Sequence, residues 1–168
     1  MGGNIHVKSE LNKGSIFYFS IPFESVDPIQ TKSSPTNNTL GTVSFHNFKI
    51  LVVEDNLLNQ KLIAVHLKKF NCSFDLVENG QEAIEAITSN QYDMILMDIQ
   101  MPIIDGIEAT KIIRAQGCQT PIIAMTAHAL EKEKQIYIDI GMNDYIPKPF
   151  RQEEFQRLVQ KYYLKKDV

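Results

Sequence analysis

MILMDIQMP, residues 94–102, decides the fold of this 168-residue chain. Four consecutive apolar residues, Met94 to Met97, run into a carboxylate at Asp98, and Pro102 follows four positions later. Apolar character that is continuous rather than alternating marks a strand covered on both faces, as in a parallel sheet with helices on each side. An acid directly after such a strand stands where the cover ends and a crevice opens.

The same pattern recurs on either side. KILVVE (49–54) and TPIIAMT (120–126) are continuous apolar runs, and Pro121 sits at a strand start, where a lost N–H is tolerated. SFDLV (73–77), YDMILM (92–97) and DYIP (144–147) complete five strands. Between them lie helical segments. LLNQKLIAVHLKKF (57–70) has Asn56 as a candidate N-cap, Asn71 as a left-handed stop, and an apolar stripe at Leu58, Leu62, Val65 and Phe70. GQEAIEAITS (80–89), GIEATKIIRAQ (106–116), LEKEKQIYIDIG (130–141) and RQEEFQRLVQKYYLKK (151–166) follow. Five strand–helix units with right-handed crossovers predict an α/β domain, a doubly wound five-stranded parallel sheet with five helices. The flavodoxin-like order 2-1-3-4-5 is the usual solution, with its crevice at the carboxyl ends of the first and third strands.

Ahead of this domain, composition separates two further zones. Residues 1–23 read as a β-hairpin: NIHVKSE, a turn at Asn12–Gly14, then the aromatic-rich SIFYFSIPF. A lone two-stranded hairpin is marginal in water, so this piece needs a partner surface. Residues 24–47, centred on KSSPTNNT, read as a flexible linker, and 48–168 as the α/β domain.

Bulk properties exclude several classes. Net charge is −3 with basic and acidic residues interspersed, so the footprint of a nucleic-acid binder is missing. No apolar run is long enough to span a membrane, and the N-terminus lacks the pattern of a signal peptide. Cys72 and Cys118 have no metal or redox spacing; two free thiols fit a reducing cytoplasm. His66 is read as a half-buried residue of the first, amphipathic helix rather than a phosphohistidine.

A parallel sheet gathers its strand ends at one rim. There the sequence places Glu54, Asp55, Asp98, Thr126 and Lys148. Each pair of carboxylates about 4 Å apart repels by about 4 kcal/mol at an effective dielectric of about 20. A hard divalent cation with oxygen ligands relieves this, and Mg²⁺ suits a few carboxylates plus water. A carboxylate nucleophile, Mg²⁺, an ammonium and a hydroxyl together fit phosphoryl transfer, whose transition state spreads charge over three equatorial oxygens. Asp98 is the candidate nucleophile, and Lys148 and Thr126 the phosphoryl ligands. Singly, each residue could be a cap or turn former; their conjunction at matched strand ends carries the reading.

LVVEDN, MILMDIQMPIIDG, IIAMTAHA and YIPKPF, in this order and spacing, resemble the receiver domain of two-component response regulators, in the variant attached to hybrid sensor histidine kinases. The resemblance covers residues 48–166. It implies that Asp98 is the phosphoacceptor and that Glu54, Asp55, Asp98 and the backbone carbonyl of Gln100 hold Mg²⁺, with Glu54 able to act through water. It implies that Thr126 and Lys148 bind the phosphoryl group and that Thr126 and Tyr145 form the conformational switch. Ala127 leaves room for the phosphoryl group, while Gln100 and His128 fall where the family tunes dephosphorylation.

The partners implied are a histidine-kinase dimerisation and phosphoacceptor domain and a histidine phosphotransfer protein. They would dock on Leu57, Leu58, Pro149 and Phe150. Leu62 either joins that surface or faces the sheet. MGGNIHVKSELNKGSIFYFSIPF resembles the last strands of a histidine-kinase ATPase domain. The chain would then be the C-terminal part of a hybrid kinase, cytoplasmic even if its parent is membrane-bound, without kinase activity or ATP binding of its own. Two rival readings are weaker. A haloacid-dehalogenase-like phosphatase carries its nucleophile on the first strand and its acidic pair late, the reverse of this order. A decayed receiver acting only as an interaction module would not need Asp98, Thr126 and Lys148 together.

Overall fold

A computed structural model describes residues 3–11, 13–20, 22, 44–127 and 131–166. It divides into an N-terminal unit and a larger α/β unit. In the first, β1 (Asn4–Glu10) and β2 (Gly14–Ser20) pair antiparallel. Gly14 takes φ +101°, a left-handed conformation that suits glycine, and Lys13 N–H donates to Glu10 O at 3.0 Å to close the turn. Ile5 faces Phe19 and Val7 faces Phe17 across the ladder, and all four are exposed. Asn12 of the expected turn lies outside the described residues, as do positions 24–43 of the expected linker.

The α/β unit runs β3 (Lys49–Val53), α1 (Leu57–Lys69), β4 (Ser73–Val77), α2 (Gly80–Ser89), β5 (Met94–Asp98), α3 (Gly106–Ala115), β6 (Ile122–Thr126), α4 (Glu131–Asp139), β7 (Asp144–Pro147) and α5 (Gln152–Lys166). All pairings are parallel, in the order β4-β3-β5-β6-β7, which is the expected 2-1-3-4-5. Every residue of β5 and β6 is buried. Alternate side chains divide between two cores. Ile50, Val52, Met94, Leu96, Ile123 and Met125 pack with Ile63, Leu67, Phe155 and Val159 of α1 and α5. Leu51, Val53, Ile95, Met97, Ile122 and Ala124 pack with Ala83, Ala109 and Ile113 of α2 and α3. The continuous apolar runs thus have the origin the sequence implied: each face of the sheet has its own helical cover. Among the described residues no helix is long and apolar enough to cross a membrane.

Local signals at α1 act as expected. Asn56 Oδ1 accepts from the N–H groups of Leu58 (2.9 Å) and Asn59 (3.3 Å), and Asn71 adopts φ 53° beyond the helix. Its buried face is different. Leu58, Leu62 and Val65 are exposed, and Gln60, Ile63, His66 and Leu67 face the interior. Both stripes have helical spacing; of the more apolar one only Phe70 is buried, and the rest lies outward because Ile63 and Leu67 pack with the strands.

The linker boundary also moves. Phe45, placed in the linker by composition, is 1 % exposed; its N–H donates to Phe70 O at 2.9 Å and its ring meets Phe70 and Tyr163. Two aromatics in a polar stretch, Phe45 and Phe48, are enough to attach it to the domain.

Candidate functional site

Five strand-end residues meet at the carboxyl rim of the sheet. Asp98 closes β5, Thr126 closes β6, Glu54 and Asp55 follow β3, and Lys148 follows β7. The backbone holds these ends close. Lys148 N–H donates to Thr126 O at 2.7 Å, and Glu54 N–H to Val77 O at 3.0 Å. A Cβ at Gly106 would stand 2.0 Å from the Asp98 carbonyl oxygen, so a side chain there would push α3 off the end of β5. Asp105 caps α3 by accepting from Glu108 N–H at 2.8 Å.

Lys148 is the hub. Its ammonium stands 2.5 Å from Glu54 Oε2 and 2.7 Å from Asp98 Oδ2. The second oxygen of Glu54 accepts from Asn59 Nδ2 at 2.8 Å, and its backbone carbonyl accepts from Gln60 Nε2 at 2.7 Å. Glu54 is wholly buried and Asp98 is 7 % exposed, while Asp55 is exposed. Among the described residues these three acids form a group whose ligand atoms lie within 4.8 Å of one another. One ammonium against three carboxylates leaves a local excess of negative charge. Burial pushes the Asp98 pKa above its usual range; the neighbouring Lys148 ammonium opposes this, and the Glu54 charge adds to it. An arrangement of carboxylate oxygens with unmatched charge suits a hard divalent cation.

Asp98, Gln100, Thr126, Ala127, Tyr137 and Lys148 line a cavity of about 160 Å³ at this rim. Thr126 Oγ1 lies 3.3 Å from the Tyr137 hydroxyl of α4. A neighbouring apolar groove of about 270 Å³ is lined by Leu62, Ile63, Pro149 and Phe150, with Glu54, Asn59 and Lys148 at its inner end. The Lys148–Pro149 peptide is cis. Leu57 and Leu58 stand exposed at the start of α1, and Leu62 lines the groove rather than facing the sheet. Tyr145 is half-buried on β7, with the Lys134 ammonium 4.7 Å over its ring. His128 lies outside the described residues. His66, expected to be half-buried, is buried against Phe150 and Phe155, and burial lowers its pKa. A wider recess of about 720 Å³ at the opposite end of the sheet gathers no comparable cluster of acids.

Three residues at the site went unnoticed in the sequence. Asn59 and Gln60 clamp Glu54, and their signal was a pair of amides three and four positions after a cap, the first facing the strand end. Tyr137 was visible only as the one aromatic residue in a polar helix.

Known proteins resemble this chain in sequence and fold. The response regulator receiver domain family matches residues 50–160. The autoinducer 2 sensor kinase/phosphatase LuxQ of Vibrio vulnificus is 40 % identical over 153 residues, which is 90 % of this chain and 18 % of LuxQ. BarA, a signal transduction histidine-protein kinase of Escherichia coli, is 39 % identical over 115 residues, or 67 % of this chain and 12 % of BarA. The chain therefore spans under a fifth of the length of these relatives. Among solved structures, the receiver domain of sensor histidine kinase PA1611 from Pseudomonas aeruginosa, which has a magnesium ion coordinated in its active-site cleft, is 42 % identical. It superposes with a TM-score of 0.64 over 69 % of this chain and 97 % of that one. The receiver of Saccharomyces cerevisiae Ssk1, crystallised with the phosphotransfer protein Ypd1, is 30 % identical, with a TM-score of 0.69 over 72 % of this chain and 92 % of that one. With the strand order, the acidic rim and these relatives in agreement, the chain belongs to the response regulator receiver domains of two-component phosphorelays.

Proposed function

We propose that Asp98 accepts a phosphoryl group from a phosphohistidine and that the other rim residues serve this transfer. A carboxylate oxygen of Asp98 forms the new P–O bond as the P–N bond breaks. The electron pair returns to the imidazole, which takes up a proton. Lys148 and the Thr126 hydroxyl are the donors for two of the phosphoryl oxygens, replacing charge and hydrogen bonds lost from water. Asp55, Asp98 and the Gln100 carbonyl would hold Mg²⁺ directly. Glu54, with Lys148 on one oxygen and Asn59 on the other, would act through a water. Mg²⁺ in that position would neutralise charge as phosphate approaches the carboxylates.

The observation that carries this reading is the double ion pair of Lys148 with Asp98 and Glu54 beside the Thr126 hydroxyl. It opposes the effect of burial on the Asp98 carboxylate and leaves a cation poised for a phosphoryl oxygen. The groove at Leu62, Pro149 and Phe150, continued by Leu57 and Leu58, is the docking surface for a helix that presents the histidine, from a histidine-kinase dimerisation domain or a histidine phosphotransfer protein. The exposed apolar face of the β1–β2 hairpin fits its proposed origin as the end of a histidine-kinase ATPase domain, the chain belonging to a hybrid kinase with this part in the cytoplasm.

The test is intact-mass spectrometry after incubation with acetyl phosphate. One phosphoryl group should add in the presence of Mg²⁺, not in excess chelator, and not in Asp98→Asn. Addition that persists in Asp98→Asn would overturn the assignment.

A further inference from the structure

Tyr137 reaches the site from α4, an element to which the proposed reaction assigns no part. Its hydroxyl lies 3.3 Å from Thr126 Oγ1, and it lines the same cavity as Asp98 and Lys148. The pair is enclosed: Tyr137 is 6 % exposed and Thr126 5 %. The Tyr137 ring belongs to the apolar cluster of Met97, Ala124 and Met142, so its hydroxyl is delivered from a packed base. Tyr145 meets α4 differently, through the ammonium of Lys134 over its ring.

Either hydroxyl can donate in this hydrogen bond. A threonine hydroxyl has one proton and two lone pairs, and a phenol is the stronger acid of the two. Acidity favours Tyr137 as the donor and Thr126 as the acceptor. This occupies one lone pair of Thr126 and turns its single proton toward another acceptor. A hydroxyl that receives a hydrogen bond is also polarised into a better donor.

We propose that Tyr137 is a positioning residue for the phosphoryl site, orienting Thr126 as a donor to a phosphoryl oxygen on Asp98. This rests on the roles given above to Asp98 and Thr126. Thr126 keeps its place without the phenol, because its carbonyl remains tied to Lys148 N–H at 2.7 Å. What is lost is the orientation of the hydroxyl, so the effect falls on phosphorylation and not on the fold.

The experiment is a double-mutant cycle on phosphoryl uptake from acetyl phosphate with Mg²⁺, followed by intact mass against time. Tyr137→Phe should slow uptake about fivefold, the effect of one hydrogen bond, with the thermal midpoint little changed. In a Thr126→Ala background, Tyr137→Phe should have no further effect. Wild-type uptake in Tyr137→Phe would overturn the proposal, as would an undiminished fivefold loss in the Thr126→Ala background. If the wild type itself takes up no phosphoryl group, or Asp98→Asn takes it up equally, the phosphoacceptor reading fails and this inference with it. Normal uptake with no Tyr137 effect removes the inference alone.

Discussion

The two ends of the central sheet handle charge in opposite ways. At the amino end Lys49, Asp75, Asp93 and Lys166 form ion pairs, and Arg114 is held by neutral acceptors. Lys49 pairs with Asp75 at 2.8 Å, and Tyr92 donates to the same carboxylate at 2.8 Å. Asp93 accepts from Lys49 N–H at 2.7 Å and pairs with Lys166 at 2.9 Å. Arg114 donates to the carbonyls of Gly141, Cys118 and Thr120 and to Asn143 Oδ1. At the carboxyl end three carboxylates cluster, one ammonium pairs with Glu54 and Asp98, and both of these are buried. Asp75 has its pKa lowered, chiefly by Lys49, whereas Asp98 has its pKa raised, chiefly by burial. Matched charges hold a structure together; a buried excess is destabilising and persists where something else is to be bound.

Neutralising Asp98 should separate the two roles most sharply. Asp98→Asn should abolish phosphoryl uptake. It should also raise stability by about 1 kcal/mol at neutral pH without Mg²⁺, as removal of a strained functional charge does. The raised pKa in the folded state means that ionised Asp98 opposes folding above that pKa. The gain should therefore vanish below the ordinary value of 3.8, where both states are protonated. Urea denaturation across pH measures it, and a loss of stability at neutral pH would show that the Lys148 pair outweighs burial. At the other rim, Arg114→Ala should do the reverse. It leaves several part-buried acceptors unpaired, so it should cost about 3 kcal/mol while phosphoryl uptake well below the melting transition stays unchanged.

The same contrast explains what could be read in the sequence. The continuous apolar strands, the Asn56 cap, the Asn71 stop and the five rim residues are local signals, fixed by a few adjacent positions. The inward face of α1 was not legible, because that helix carries apolar residues on two sides. Ile63 and Leu67 cover the sheet, while Leu58 and Leu62 stand beside the site, and a 3.6-residue period fits both. Phe45 was masked by its polar neighbours. Asn59, Gln60 and Tyr137 act through partners on other elements, which no spacing within one helix discloses. The unmatched charge was legible in the sequence because a parallel sheet collects its strand ends; the matched charges at the amino end were not, since their partners lie on elements distant in the chain, as Lys166 of α5 pairs with Asp93 ahead of β5.

Mg²⁺ should act on the carboxyl rim alone. At roughly ten times its dissociation constant it should stabilise the fold by about 1.4 kcal/mol, a shift that Asp55→Asn reduces and equal ionic strength of NaCl does not reproduce. Thermal unfolding with and without chelator reads this difference, and an unchanged shift in Asp55→Asn would place the ion elsewhere.

The smallest effect belongs to Asp75. Its folded pKa lies below the ordinary 3.8, so the unfolded chain takes up the proton first as pH falls. Its contribution is present above 3.8 and disappears as pH drops through the lower, folded value. The Asp75 side chain is 46 % exposed, and solvent screening keeps the contribution below about 1 kcal/mol. Asp75→Asn should lower stability by that amount at neutral pH and not at all at the acid end, the mirror image of Asp98→Asn. If both substitutions changed stability in the same direction at neutral pH, the distinction between a matched rim and an unmatched one would not hold.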